Sequence, residues 1–157
     1  MTPGDDGFEP FLWHDDSLHG LHLEVGDPEA GDWRADLILD IDHIVEWVRC
    51  DDQRVRFRVA PATLAFRHVT DLRIAVDWGD SGHRTALHPC AIDRIERARV
   101  QDQRICLDRP YWRFQIVLNW PAGGEISLGA SEFDLALRAA PVLQDEQALR
   151  ARPGLSG

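Results

Sequence analysis

Residues 13–17 read Trp-His-Asp-Asp-Ser, the residue types of a general base with its orienting carboxylate. In such a site His14 would take a proton while Asp15 or Asp16 fixed the imidazole. Catalytic groups of this kind are usually assembled in space from separate loops. A contiguous run therefore has a competing local role, since Asp and Ser side chains bond nearby backbone N–H groups and close turns ahead of strands. His14, Asp15 and Asp16 are the catalytic candidates, weighed against that turn.

A second set lies in Arg-Ala-Asp-Leu-Ile-Leu-Asp-Ile-Asp-His-Ile-Val-Glu-Trp-Val, residues 34–48. Asp40 and Asp42 stand two apart, so on a strand they project from one face about 7 Å from each other. With a third carboxylate they could hold a hard divalent cation; alone they would form a solvated face that discourages pairing with other chains. Ile38 and Ile44 interrupt the acids. The stripe Asp36, Ile38, Asp40, Asp42, Ile44, Glu46 thus reads as a contact surface, or as a face covered by another layer. A third set, His83, His88 and Cys90, could supply three zinc ligands, with Cys50 or Cys106 as the only thiols to complete the shell, but its spacing matches no paired zinc motif. Asp40, Asp42, His83, His88 and Cys90 are weak metal candidates, and neither a metal nor a cofactor is expected. No phosphate loop, dinucleotide fingerprint, HExxH helix or GxSxG elbow is present.

Period-two alternation positions these groups. Leu37, Leu39, Ile41, Val45 and Trp47 share one parity and the acids take the other, which predicts a strand with its odd positions inward. Val55, Phe57 and Val59 alternate with Arg54, Arg56 and Arg58, predicting arginine-carboxylate pairs if the two strands are neighbours. Pro61 is expected to end that strand, and another resumes in Thr-Leu-Ala-Phe-Arg-His-Val. Leu72 to Trp78 and Trp112 to Trp120 alternate likewise. Ala122-Gly123-Gly124 predicts a hairpin. Residues 90–100 read as strand, and 131–140 as either a capped helical turn or an edge strand. Turn signals separate the runs, giving about eight to ten strands in a single antiparallel β-sandwich or flattened barrel. The domain spans residues 1–141, and 142–157 form a polar tail. Trp47, Trp78, Trp112 and Trp120 are expected in the core or lining a pocket, with Trp13 and Trp33 beside turns. His19, His22, His43 and His68 are expected to be packed or paired.

The chain has 157 residues, a net charge of −10 and 17 basic residues, all arginine. A field of that sign repels phosphate backbones and anionic lipid, so neither nucleic acid nor membrane is an expected partner. Three unevenly spaced cysteines and the absence of a signal-like N-terminal segment fit a cytoplasmic protein.

Trp-His-Asp-Asp-Ser, the Asp-Ile-Asp-His-Ile-Val-Glu-Trp strand and the Asn-Trp-Pro-Ala-Gly-Gly-Glu hairpin together resemble a family of uncharacterised bacterial proteins that has no assigned reaction. More distantly, the His-Asp pair before a strand and Leu-Ala-Phe-Arg-His-Val-Thr-Asp-Leu-Arg-Ile look like small immunity proteins of toxin systems. That resemblance implies a protein that binds another protein, for which the acidic strand face is the candidate surface; exposed edge strands also allow a second copy of the chain as partner. Two alternatives stand beside it. One is an enzyme, either a metal-assisted hydrolase using Asp40 and Asp42 or a pocket using His14 and Asp15. The other is a small-molecule binder with a tryptophan-lined cavity.

Overall fold

In the computed structural model, which describes residues 8, 11–84, 86–101 and 109–152, the alternating runs form nine antiparallel strands and the described residues include no α-helix. The strands are β1 (Ser17–Val25), β2 (Ala35–Arg49), β3 (Val55–Arg67), β4 (Thr70–Ala75), β5 (Cys90–Arg99), β6 (Trp112–Trp120), β7 (Glu125–Ala130), β8 (Glu132–Leu137) and β9 (Val142–Gln144). They pair in the order β4-β7-β6-β5-β1-β2-β3-β8, with β9 also on β3. β1 meets β5 only at Ser17 and Leu18. The sheet folds there into two layers, an unclosed sandwich or flattened barrel.

Between the layers Leu37, Leu39 and Ile41 of β2 and Leu64 and Phe66 of β3 pack toward Phe114, Ile116 and Leu128 of β6 and β7. Phe66 and Phe114 meet edge to face with ring centroids 4.9 Å apart, though their strands are not neighbours in the sheet. Phe8 joins from outside the strands, against both Phe114 and Phe133.

The expected parity of β2 holds as far as Ile41 and then fails. The β2–β3 register shifts between Ile44 and Glu46, so Val45 is an unpaired extra residue that switches the following side chains to the other face. Val45 and Trp47 are consequently 45% and 42% exposed, whereas Ile44 is buried. The tryptophans also differ from expectation. Trp47, Trp78 and Trp120 are exposed, Trp112 is half-buried, and Trp13 is buried. Beyond Leu18, β1 loses its second neighbour, and this leaves Leu21, Leu23 and Val25 exposed.

Pro61 does not end a strand, because β3 runs through it opposite Asp42. The Pro61 carbonyl accepts the Arg138 N–H at 2.7 Å, so its nitrogen faces the same side, where β9 pairs only up to Val59 and β8 only from Ala62. The missing donor therefore falls in the gap between two partner strands. Of Arg54, Arg56 and Arg58, only Arg58 pairs across to β2, with Glu46 at 2.8 Å; Arg54 and Arg56 bond Asp52 and Asp145 instead. Residues 90–99 are strand, and Glu132–Leu137 takes the strand alternative. Residues beyond 141 are not a loose tail as far as Arg152, because β9 joins the sheet and the segment after it docks on β2 as described below.

Candidate functional site

Three clusters carry chemistry-bearing side chains. The first is the opening motif. After Trp13 the chain turns with Asp15 in the left-handed region, φ 66°, which Asp tolerates better than most residues. The Asp15 N–H donates to the Ile92 carbonyl at 2.7 Å and the Ile92 N–H to the Asp16 carbonyl at 2.8 Å, extending the bridge to β5. The Asp16 side chain then points inward, fully buried. One of its oxygens accepts the Ile44 N–H at 2.8 Å and the other accepts His43 Nδ1–H at 2.6 Å. Burial pushes the Asp16 carboxyl up, against the pull of His43 and the Ile44 N–H. The His43 ring packs against Trp13 and Phe11.

A sealed histidine-carboxylate pair has no route to substrate, and no hydroxyl or thiol among the described residues bonds this imidazole. His14, by contrast, is exposed; its Nδ1 lies 3.2 Å from the Asp93 carboxylate and its Nε2 3.4 Å from Asp15, and its ring stacks against Trp47 with centroids 6.3 Å apart. Asp15 is held by the Asn119 and Gln147 amides at 2.6 and 2.7 Å. The side chains of Asp15 and Asp16 therefore tie the turn to distant strands and to the C-terminal segment rather than closing it locally. The partner of Asp16 is His43 on β2 rather than the adjacent His14.

The second cluster is the acidic strand. Asp36 and Asp42 are buried, Ile44 is buried, Asp40 and Ile38 are half-buried, and only Glu46 is exposed. Of the two readings of this stripe, a contact surface or a covered face, the burial fits the covered face. Its acids are neutralised from within. Arg152 reaches both oxygens of Asp40 at 2.9 and 2.6 Å and Asp42 Oδ1 at 2.9 Å. Asp42 also accepts from His19 Nε2 at 2.9 Å and from the Leu149 N–H at 3.0 Å, and Arg138 bonds Asp40. Burial alone would raise both carboxyls. For Asp40 the Arg152 and Arg138 guanidinium groups outweigh it, and for Asp42 the bonds from His19 and the Leu149 N–H together with Arg152 do so; both are held below the usual carboxylate range. Carboxylates engaged by Arg138, Arg152 and His19 are not available to a metal ion. Among the described residues no group of three His, Cys, Asp or Glu is placed to hold one. His83 and His88 are exposed and Cys90 is buried; Cys50 is half-buried, and Cys106 lies outside the described residues.

The third cluster was not singled out from sequence. It lies where the start of β2, the corner between β3 and β4, the start of β6 and the β7–β8 corner converge, at one end of the sandwich. A pocket of about 450 Å³ opens there, lined by Trp33, His68, Thr70, Asp71, Arg109 and Tyr111, with Val69 and Ser131 at its wall. Its corner is anchored by Asp36, which accepts the His68 N–H at 3.1 Å and Arg67 Nη1–H at 2.9 Å. Burial of Asp36 is outweighed by these bonds and by the charge of Arg67, and its carboxyl is held low. Val69 N–H donates to the Ala35 carbonyl at 2.6 Å. Two pocket residues, His68 and Asp71, are left-handed at φ 55° and 53°. Each costs of order 1 kcal/mol or more.

The pocket's hydrogen bonds have a consistent direction. Ser131 Oγ donates to the Arg67 carbonyl at 3.3 Å, so it accepts His68 Nδ1–H at 2.8 Å. That leaves His68 Nε2 to accept from Arg109 Nη1, 3.2 Å away. Thr70 donates to Asp71 Oδ2 at 2.7 Å and therefore accepts from the Tyr111 hydroxyl. Gly129 on β7 makes room for this pair, because a Cβ there would stand 2.6 Å from the Tyr111 hydroxyl oxygen.

No protein-family model, no curated protein and no solved structure matches the chain. Among the described residues no helix is long and apolar enough to cross a membrane.

Two stability measurements test these assignments. Asp16→Ala strands His43 and the Ile44 N–H, and urea unfolding should show a loss of about 3–5 kcal/mol, whereas His14→Ala should stay within about 0.5 kcal/mol; similar small losses for both would contradict the buried pairing. Asp36, Asp40 and Asp42 have folded-state values below their unfolded ones, so their stabilisation is present above about pH 4 and is lost as pH falls through the lower folded values. Unfolding measured from neutral to strongly acidic pH should show that loss. Arg152→Ala should flatten it, and an unchanged slope would contradict the pairing with β2.

Proposed function

We propose that the protein is a binding protein whose recognition site is the pocket at the end of the sandwich bordered by Trp33, His68 and Arg109. The observation that carries this reading is the incomplete use of the pocket's polar groups. Arg109 uses only Nη1 in its contacts with His68 and Glu132, which leaves Nε and Nη2 without a partner among the described residues. Asp71 Oδ1 and the Trp33 indole N–H are likewise without one. Trp33 is 79% exposed beside them. A concave site with a few convergent polar groups is a usual form of a ligand site, and residues held in sparsely populated backbone conformations cluster at such sites.

This favours the small-molecule alternative over the acidic-face reading. A toxin-binding surface on β2 would need Asp36, Asp42 and Ile44, which are buried, and Asp40, which already holds Arg138 and Arg152. An enzyme built on Asp40 and Asp42 meets the same obstacle.

A titration of the ¹⁵N-labelled protein with a cocktail of soluble neutral, anionic and cationic fragments tests the site, with the Trp33 indole resonance assigned through Trp33→Phe. Shifts at Trp33, His68–Asp71 and Ser131 are expected. Shifts confined to the separate groove between Val142 and Ala151, or none, would overturn the proposal.

A further inference from the structure

We infer that the ligand of this pocket is a neutral saccharide, an inference that rests on the pocket being the binding site. The first argument is charge. An anion drawn to Arg109 would also meet the Asp71 carboxylate in the lining and Glu132, whose Oε1 stands 3.9 Å from Arg109 Nη1. A cation drawn to Asp71 would meet Arg109. Within the lining itself Arg109 and Asp71 contribute one charge of each sign, so a ligand of either sign meets one opposing charge and a ligand without net charge meets neither penalty.

The second argument is the kind of hydrogen bonding left over. Among the described residues the free capacity consists of donors, at Arg109 Nε and Nη2 and the Trp33 indole, together with acceptors at Asp71 Oδ1 and the Tyr111 oxygen, which has spent its proton on Thr70. Groups that donate and accept at once satisfy such a mixed set, and a hydroxyl does both. Several hydroxyls on one rigid frame would meet these positions with little loss of rotational freedom.

The third argument is the aromatic surface. Tyr111 is buried and the His68 ring is engaged by Arg109, which leaves Trp33 as the open aromatic face of the lining. One exposed indole offers a platform on one side only. The C–H face of a pyranose needs only one such platform, whereas a purine or pyrimidine gains most from a slot with two. The exposure of Trp33 suits a partner that is itself mostly wet.

The experiment uses the full chain and four neutral probes, cellotetraose, maltotetraose, chitotetraose and a β-galactotetraose, followed by saturation-transfer NMR and calorimetry. Adenosine, uridine and indole-3-acetate serve as rival probes. At least one saccharide should bind, about ten-fold more weakly to Trp33→Ala and to Asp71→Asn. Circular dichroism should be unchanged, because both side chains are exposed. If the nucleosides or the aromatic carboxylate bind with Trp33 dependence and no saccharide does, the saccharide assignment falls and the pocket remains the site. Saccharide binding that is indifferent to Trp33→Ala would place the ligand elsewhere and overturn the assignment. The absence of Trp33-dependent binding by any probe would overturn both readings.

Discussion

A single buried carboxylate, that of Asp36, sets the end of the sandwich where the pocket forms. It stands at the second residue of β2 and bonds both the Arg67 guanidinium and the His68 backbone N–H. Here the chain leaves one layer at Arg67 and enters the other at Thr70, with only two residues to make the crossing. So short a corner needs an unusual backbone, and His68 supplies it in the left-handed region. The charge-assisted bonds to Asp36 offset that cost. Once His68 is fixed, its ring meets Ser131 at the neighbouring β7–β8 corner and Arg109 ahead of β6, and the pocket wall follows.

The same device recurs at the opposite end of the β1–β2 ladder. Where β1 ends its pairing, the Asp16 side chain takes the Ile44 N–H that a longer strand would have bonded. A buried aspartate thus takes the N–H just past the end of a ladder on each side of β2, Asp36 that of His68 beyond the β2–β3 ladder and Asp16 that of Ile44 beyond the β1–β2 ladder. The pair Asp40 and Asp42 receives Arg152. Three of the four acidic residues on this strand stabilise the fold through specific partners. Only Glu46, paired with Arg58 on the surface, behaves as an ordinary exposed charge, and its contribution is modest.

Much of the architecture was legible in the chain. The parity of Leu37, Leu39 and Ile41 marks a half-buried strand because side chains alternate across a sheet, and Ala122-Gly123-Gly124 marks the hairpin that places Gly123 at φ 80°. The change of face at Val45 was not legible. A bulge depends on the register of a partner strand, and nothing in Ile-Val-Glu-Trp distinguishes it from continued alternation. Acidity on the polar parity suggested solvent, yet burial of Asp36 and Asp42 depends on Arg67 and Arg152, which lie 31 and 110 residues away along the chain. The pocket was missed for the same reason. His68, Arg109, Tyr111 and Ser131 come from three separate corners, and their types at their own positions carry no pattern. The one local signal was Arg-His-Val-Thr-Asp joining two alternating runs without glycine or proline. A crossing so short, in those residue types, requires a left-handed Asp or His.

The measurement that bears most directly on this account is native-state hydrogen exchange at the His68 backbone amide. Because the Asp36 carboxylate accepts that N–H inside a preformed corner, the amide should be protected well beyond an ordinary loop position. In Asp36→Ala its protection should collapse, while the Ile116 amide in the central strand of the second layer stays protected. A His68 amide that exchanges freely in the unaltered protein, or one whose protection survives Asp36→Ala, would contradict the claim that this carboxylate builds the site.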